Sequence, residues 1–291
     1  TAPRMPLLAA LSLIPAMAVF LGTLQLSLRE RRRLVLALLL VGVLSVFLGL
    51  LQVANGPTSP LRPYAITNPF DAVGFFANRN HFAALVYCLL LFTGAWALFA
   101  LRRFAAAPVA ERFDAGYILP AVLSLTFIIV LIAAQFFTRS RAGLLLMLAA
   151  LGFVAIAAIR TSGADRSDAS TSVKAGRLVA AAVVVGILIS APFAFYRIAD
   201  RLDLALGQDA RFPFTVTTLI AAWAHFPFGT GFGTFMPVYA FFEKPAVAML
   251  DVFANRAHND FAEVGLEAGL PGVLIFIGFA ACLVVALRQR W

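Results

Sequence analysis

The chain has 291 residues, 62% of them hydrophobic and 13% charged, with a formal net charge of +9 and a mean hydropathy of +0.92. A water-soluble domain of this length has too much polar surface to match those values, so soluble enzymes are excluded. Nucleic-acid binding is excluded too, because it needs a basic face on a soluble domain.

In chain order, seven apolar runs are long enough, or nearly so, to cross about 30 Å of hydrocarbon. They are Met5–Leu26, Leu34–Val53, His81–Leu101, Gly116–Phe137, Gly143–Ile159, Leu178–Tyr196 and Pro271–Leu287. Continuous runs predict helices, since a β-barrel would show short alternating segments. The expected fold class is therefore all-α: a single polytopic membrane domain over 1–291 with about seven spans and a segment at 197–270 outside the membrane.

Basic residues set the orientation, because positively charged loops stay cytoplasmic. Ser27–Arg33, Arg102–Ala115, Arg160–Arg177 and Arg288–Trp291 together carry 13 basic and 5 acidic residues. Those loops are expected inside, which puts the N-terminus and the 197–270 segment outside. Thr161–Ala175, rich in Ser, Thr, Ala and Asp, reads as a flexible cytoplasmic loop. Cys88 and Cys282 fall within spans, where a packed small hydrophobe is the expected role.

The outer regions hold the unusual chemistry. Phe212–Phe226, flanked by Pro213 and Pro227, has an apolar face and a Thr and His face, and is expected to lie along the membrane surface. Gly229–Phe235 looks like a phosphate loop, but no strand precedes it, so it reads as a tight turn that allows close backbone packing. Asp260 and Glu263 have the capping-box spacing of a helix ending near Gly269. Glu263 and Glu267 share a face of that helix and read as capping or solvated groups.

Arg79, Arg139, Arg141, Arg211 and Arg256 form an anion-binding set on this side. Guanidinium groups pair bidentately with phosphate and stay charged when partly buried. His258 is the expected general base, with Arg256 beside it to keep it neutral, and His81 and His225 read as structural. Asn80, Asn259 and Glu263 are supporting residues. No His, Cys or Asp-x-Asp grouping has metal-ligand spacing, so neither metal nor cofactor is expected.

The ordered set Phe75–Ala83, Ser140–Gly143, Arg211 with Trp223, His225–Phe235 and His258–Gly272 resembles the O-antigen ligase and polymerase family. The resemblance runs from about Gly49 to Leu287. It implies a GT-C-like, multi-pass glycosyltransferase of the bacterial inner membrane with its active site facing the periplasm. Its donor would be an undecaprenyl-diphosphate-linked glycan, and its acceptor a lipid A-core or a growing glycan. The resemblance also implies that Arg141 and Arg211 neutralise the leaving diphosphate and that His258 takes the acceptor proton in an inverting, metal-independent transfer. Members usually carry more spans, which implies an N-terminal portion ahead of Thr1. Ligase is the first expectation and chain polymerase the second. A transporter of lipid-linked glycans is the rival of another class, although the charges here gather at span ends and not at mid-membrane.

Overall fold

The computed structural model describes residues 4–162, 211–245 and 254–290, together with isolated helical positions between 177 and 188. Among the described residues all regular structure is helical. The helices are α1 (Arg4–Gln25), α2 (Leu28–Ala54), α3 (Arg79–Ala106), α4 (Ala115–Thr138), α5 (Arg141–Ser162), α6 (Arg211–Ala224), α7 (Phe235–Phe242), α8 (Asp260–Glu267) and α9 (Gly269–Arg290).

Among the described residues five helices, α1, α2, α3, α4 and α9, are long and apolar enough to cross a membrane. The fifth expected span forms α5, whose described apolar stretch, Arg141–Ala157, is shorter. The sixth, Leu178–Tyr196, lies largely outside the described residues, as does most of Thr161–Ala175. One boundary needs correcting. The Arg-rich stretch after Ser27 is not a loop: Ser27 caps α2 with Glu30 in a reciprocal capping box, so Arg29, Arg31, Arg32 and Arg33 ride on the first two turns of that helix. The capping bonds satisfy amides at a helix start, and the long cationic side chains can snorkel to the headgroups.

The chain divides into two compact units, Ser27–Asp203 and Thr1–Leu26 with Leu204–Trp291. In the first, α3 is central and packs against α2, α4 and α5. Its core joins Val46, Phe82, Leu90, Ile128, Leu131 and Met147. Small residues let the helices close up: Gly49 lies against the Phe82 ring and Gly94 against Val154. Cys88 and Cys282 are exposed on their helices, so the expectation that they are packed inside is overturned. In a spanning helix such a face meets lipid, where a small hydrophobe is equally at ease.

The segment between α2 and α3 is held by one amide. Gln52 is fully buried on the last turns of α2. It donates to the carbonyls of Leu61 and Gly74, each at 2.9 Å, and accepts from the amides of Val73 (3.3 Å) and Gly74 (3.0 Å). In the second unit, α6, α7 and α8 pack around Phe214, Ala221, Phe235, Tyr239 and Leu266. Replacement of Gln52 by Leu strands four backbone groups in an apolar setting. Gln52→Leu is expected to cost about 3 kcal/mol or more, read as a lowered melting temperature in detergent with new protease cleavage between residues 55 and 78.

Candidate functional site

The predicted site residues fall into two clusters, one in each unit. In the first, the α4–α5 turn sits at the same end as the start of α3, because the Ala72 amide donates to Phe137 O at 3.0 Å. Asn78 caps α3 by accepting from the Asn80 amide at 2.8 Å. Ser140 does the same for α5: its hydroxyl accepts from the Gly143 amide at 3.1 Å and donates to Asn80 Oδ1 at 2.9 Å. Asn80 thus supports the turn that carries Arg139 and Arg141. Arg141 opens α5 with its side chain exposed.

Arg79 and Arg139 share a partner that the sequence reading did not single out. Asp71 is 2% exposed. One of its oxygens takes Arg79 Nη1 at 2.7 Å, and the other pairs with Arg139. Two guanidinium groups therefore hold one buried carboxylate, and both are built into the fold. Arg62 donates to Asp71 O and Asn68 O at 3.0 Å and to Gln52 O at 3.3 Å. Burial lowers the pKa of its guanidinium, and the charge of Asp71 opposes that shift. An isolated Asp in a Gly- and Phe-rich stretch gave no spacing signal; only the fold brings the two arginines, 8 and 68 residues away, to it.

In the second cluster Asn259, not Asp260, caps α8, its side chain accepting from the Ala262 amide at 3.3 Å. The capping box expected from Asp260 and Glu263 is not formed. Glu263 instead reaches back, one oxygen on Arg256 Nη1 at 2.6 Å and the other on the Ala257 amide at 3.0 Å. Arg256 is therefore engaged by a carboxylate, and that hydrogen bond raises its pKa above the ordinary guanidinium value. Glu267 accepts from the Phe235 amide at 2.8 Å and so anchors α7. At 9% and 6% exposed, Glu263 and Glu267 tie neighbouring segments to α8, and neither is a solvated face group.

His258 is exposed, with its ring stacked on buried Phe214 at 6.2 Å and 18°. Its φ is 54°, and Arg139 has φ 51°; these are the two non-glycine residues with positive φ among the described residues. Such conformations are uncommon and concentrate at functional sites. His225 contacts the Ala221 carbonyl at 2.9 Å, and His81 meets the edge of Phe76, in line with structural roles. Arg211 supplies the first residue of α6. Gly229–Phe235 is the close-packed turn expected: Thr230 and Gly231 donate to Leu266 O and Glu267 O, and a Cβ on Gly229 would come within 2.7 Å of Glu267 O.

Long apolar helices, with an arginine-bearing cluster at helix ends in each unit, define a polytopic membrane protein. A family model described as O-antigen ligase matches residues 121–277, and the chain belongs to that family. The match takes in Arg139, Arg141, Arg211, Arg256, His258, Asn259 and Glu263 and leaves out Arg79 and Asn80. No curated protein and no solved structure matches the chain. Membership makes it a membrane glycosyltransferase of ligase or polymerase type, acting on lipid-linked glycans.

Removing the charge of Asp71 leaves two part-buried cations without a counter-ion. Asp71→Asn is expected to lose about 3–5 kcal/mol, and Arg79→Met less, since Arg139 still pairs with the carboxylate. Melting temperatures of the two purified variants check the order.

Proposed function

We propose that the protein is an O-antigen ligase of the bacterial inner membrane, moving a glycan from an undecaprenyl-diphosphate carrier to a lipid A-core acceptor on the periplasmic side. Family membership carries this reading. A chain polymerase uses the same donor chemistry and is the second reading; the identity of the glycosylated hydroxyl separates the two.

In the proposed step the acceptor oxygen attacks the anomeric carbon as the bond from that carbon to the diphosphate oxygen breaks, inverting the configuration. His258 accepts the hydroxyl proton. The departing diphosphate gains negative charge, and Arg141 and Arg211 hold it, so that fixed guanidinium groups do the work a divalent cation does in soluble transferases. Arg256, Arg139 and Arg79 contribute indirectly: each is tied to a carboxylate, and they set the field and the position of the turns. Asn259 supports His258 by fixing the start of α8, Asn80 supports Arg141 through Ser140, and Glu263 supports Arg256.

The test is glycan transfer by purified protein in vesicles with a lipid-linked donor and no gradient across the membrane; a transporter gives no product. His258→Ala is expected to keep its fold and lose transfer by about 10²–10⁴-fold, and unchanged activity removes His258 as the base. Arg211→Lys keeps the charge but loses the bidentate fork. A clear drop in transfer rate is expected there, whereas a wild-type rate indicates simple headgroup anchoring.

A further inference from the structure

Helices α8 and α9 form a hairpin. Gly269, at φ 57°, turns the chain between them. A Cβ on Gly272 would lie 2.9 Å from Val264 Cγ1, and the rings of Phe261 and Phe276 are 5.2 Å apart. Each pair is nearly symmetric in sequence about Ala268, as two antiparallel helices require. The helix α8 therefore runs back alongside the first turns of α9.

That pairing sets a depth. The span α9 has 22 residues, about 33 Å at 1.5 Å per residue, against about 30 Å of hydrocarbon. With so little spare length, Gly269 lies near one membrane boundary. Phe276, seven residues on, is about 10 Å further along the axis, inside the apolar layer. The far end of α8 reaches the same level.

We propose that α8 is a re-entrant helix, folded into the leaflet at the Gly269 end of α9, with its outward face covered by lipid acyl chains. The sorting of its side chains fits. Phe261, 72% exposed, points outward, whereas Glu263 and Glu267 turn inward onto protein partners. On α6 as well, Phe212, Leu219, Ile220 and Trp223 are exposed while Thr217 and Thr218 are buried. Both helices also bury apolar groups, Ala262 and Leu266 on α8 and Phe214 and Ala221 on α6, so it is the large apolar side chains on their outward faces that mark the lipid contact.

His258 and Asn259, at the start of α8, then lie below the membrane surface. Polar groups at that depth are tolerated only where they line a water-filled cavity. The acceptor hydroxyl thus meets its base in a submerged aqueous cleft, close to the headgroup level at which a lipid diphosphate rests. This last consequence rests on the role proposed for His258; the depth of α8 does not.

Spin labels on the full chain test the depth without reading activity. With Cys88 and Cys282 replaced by Ala, labels are placed at Phe261→Cys, Gly265→Cys and, as the reference in α9, Gly278→Cys. A Cβ at either glycine meets nothing within 4 Å, so those two variants spare the packing. The protein is reconstituted in phosphatidylethanolamine and phosphatidylglycerol vesicles. Labels at 261 and 265 are expected to collide with oxygen more than with a water-soluble nickel chelate, with 261 several-fold so and about 10 Å deep, near the level of the label at 278, and 265 closer to the boundary. Preference for the nickel chelate places α8 in water and overturns the proposal. Low collision with both reagents means protein covers the helix, which overturns it equally. Loss of transfer in His258→Ala with either result bears on the base alone.

Discussion

Backbone that leaves a helix at the edge of a bilayer has no water on its lipid side to take up the freed amides and carbonyls. This constraint explains several of the polar side chains the protein buries. Gln52 serves four backbone groups of the segment after α2, and Ser140 caps α5 while holding Asn80. Glu263 and Glu267 each bind an amide of a segment far from the lipid face of α8. Every one sits at a helix end or beside a turn, where a chain in water would simply be hydrated. Rigid turns follow, and rigid turns are what a site for a charged lipid needs, since its arginines have to stay in place without solvent to help them.

Charge pairing then sorts the arginines. Arg79, Arg139 and Arg256 each face a carboxylate, and Arg62 is spent on three carbonyls. These four do structural work first. Arg141 begins α5 on an exposed side and follows a turn that Asp71 and Asn80 hold from beneath. The positive end of the helix dipole adds to the guanidinium charge there.

The sequence disclosed the membrane class, the helical fold and most helix positions, because hydropathy and length speak directly to the bilayer. It also disclosed the glycine turn after His225, where the missing strand argued against a phosphate loop. Partners were not legible. Asp71 looked inert, being 68 residues from Arg139 in the chain. Asp260 and Glu263 have capping-box spacing, yet Asn259 one residue earlier takes the cap and frees Glu263 for Arg256. Such choices depend on which acceptor tertiary packing brings closest, and spacing cannot encode that. The cysteines misled for a related reason: a residue in a span is buried by protein on one face and by lipid on the other, and hydropathy does not tell the faces apart.

Arg139 and His258 share a local design. Each adopts positive φ directly before a residue that caps a helix through its third amide, Ser140 for α5 and Asn259 for α8. The left-handed residue reverses the chain so that a new helix can start against the segment just ended. Glycine would meet that need without the cost of about 1–2 kcal/mol that a side chain incurs there. For Arg139 the pairing with Asp71 accounts for the side chain kept. For His258 the contact among the described residues is the stack on Phe214, which many side chains could make equally well. An imidazole held in a costly conformation, fixed by a ring beneath it and a capped helix after it, is the arrangement on which the proton role proposed for it draws.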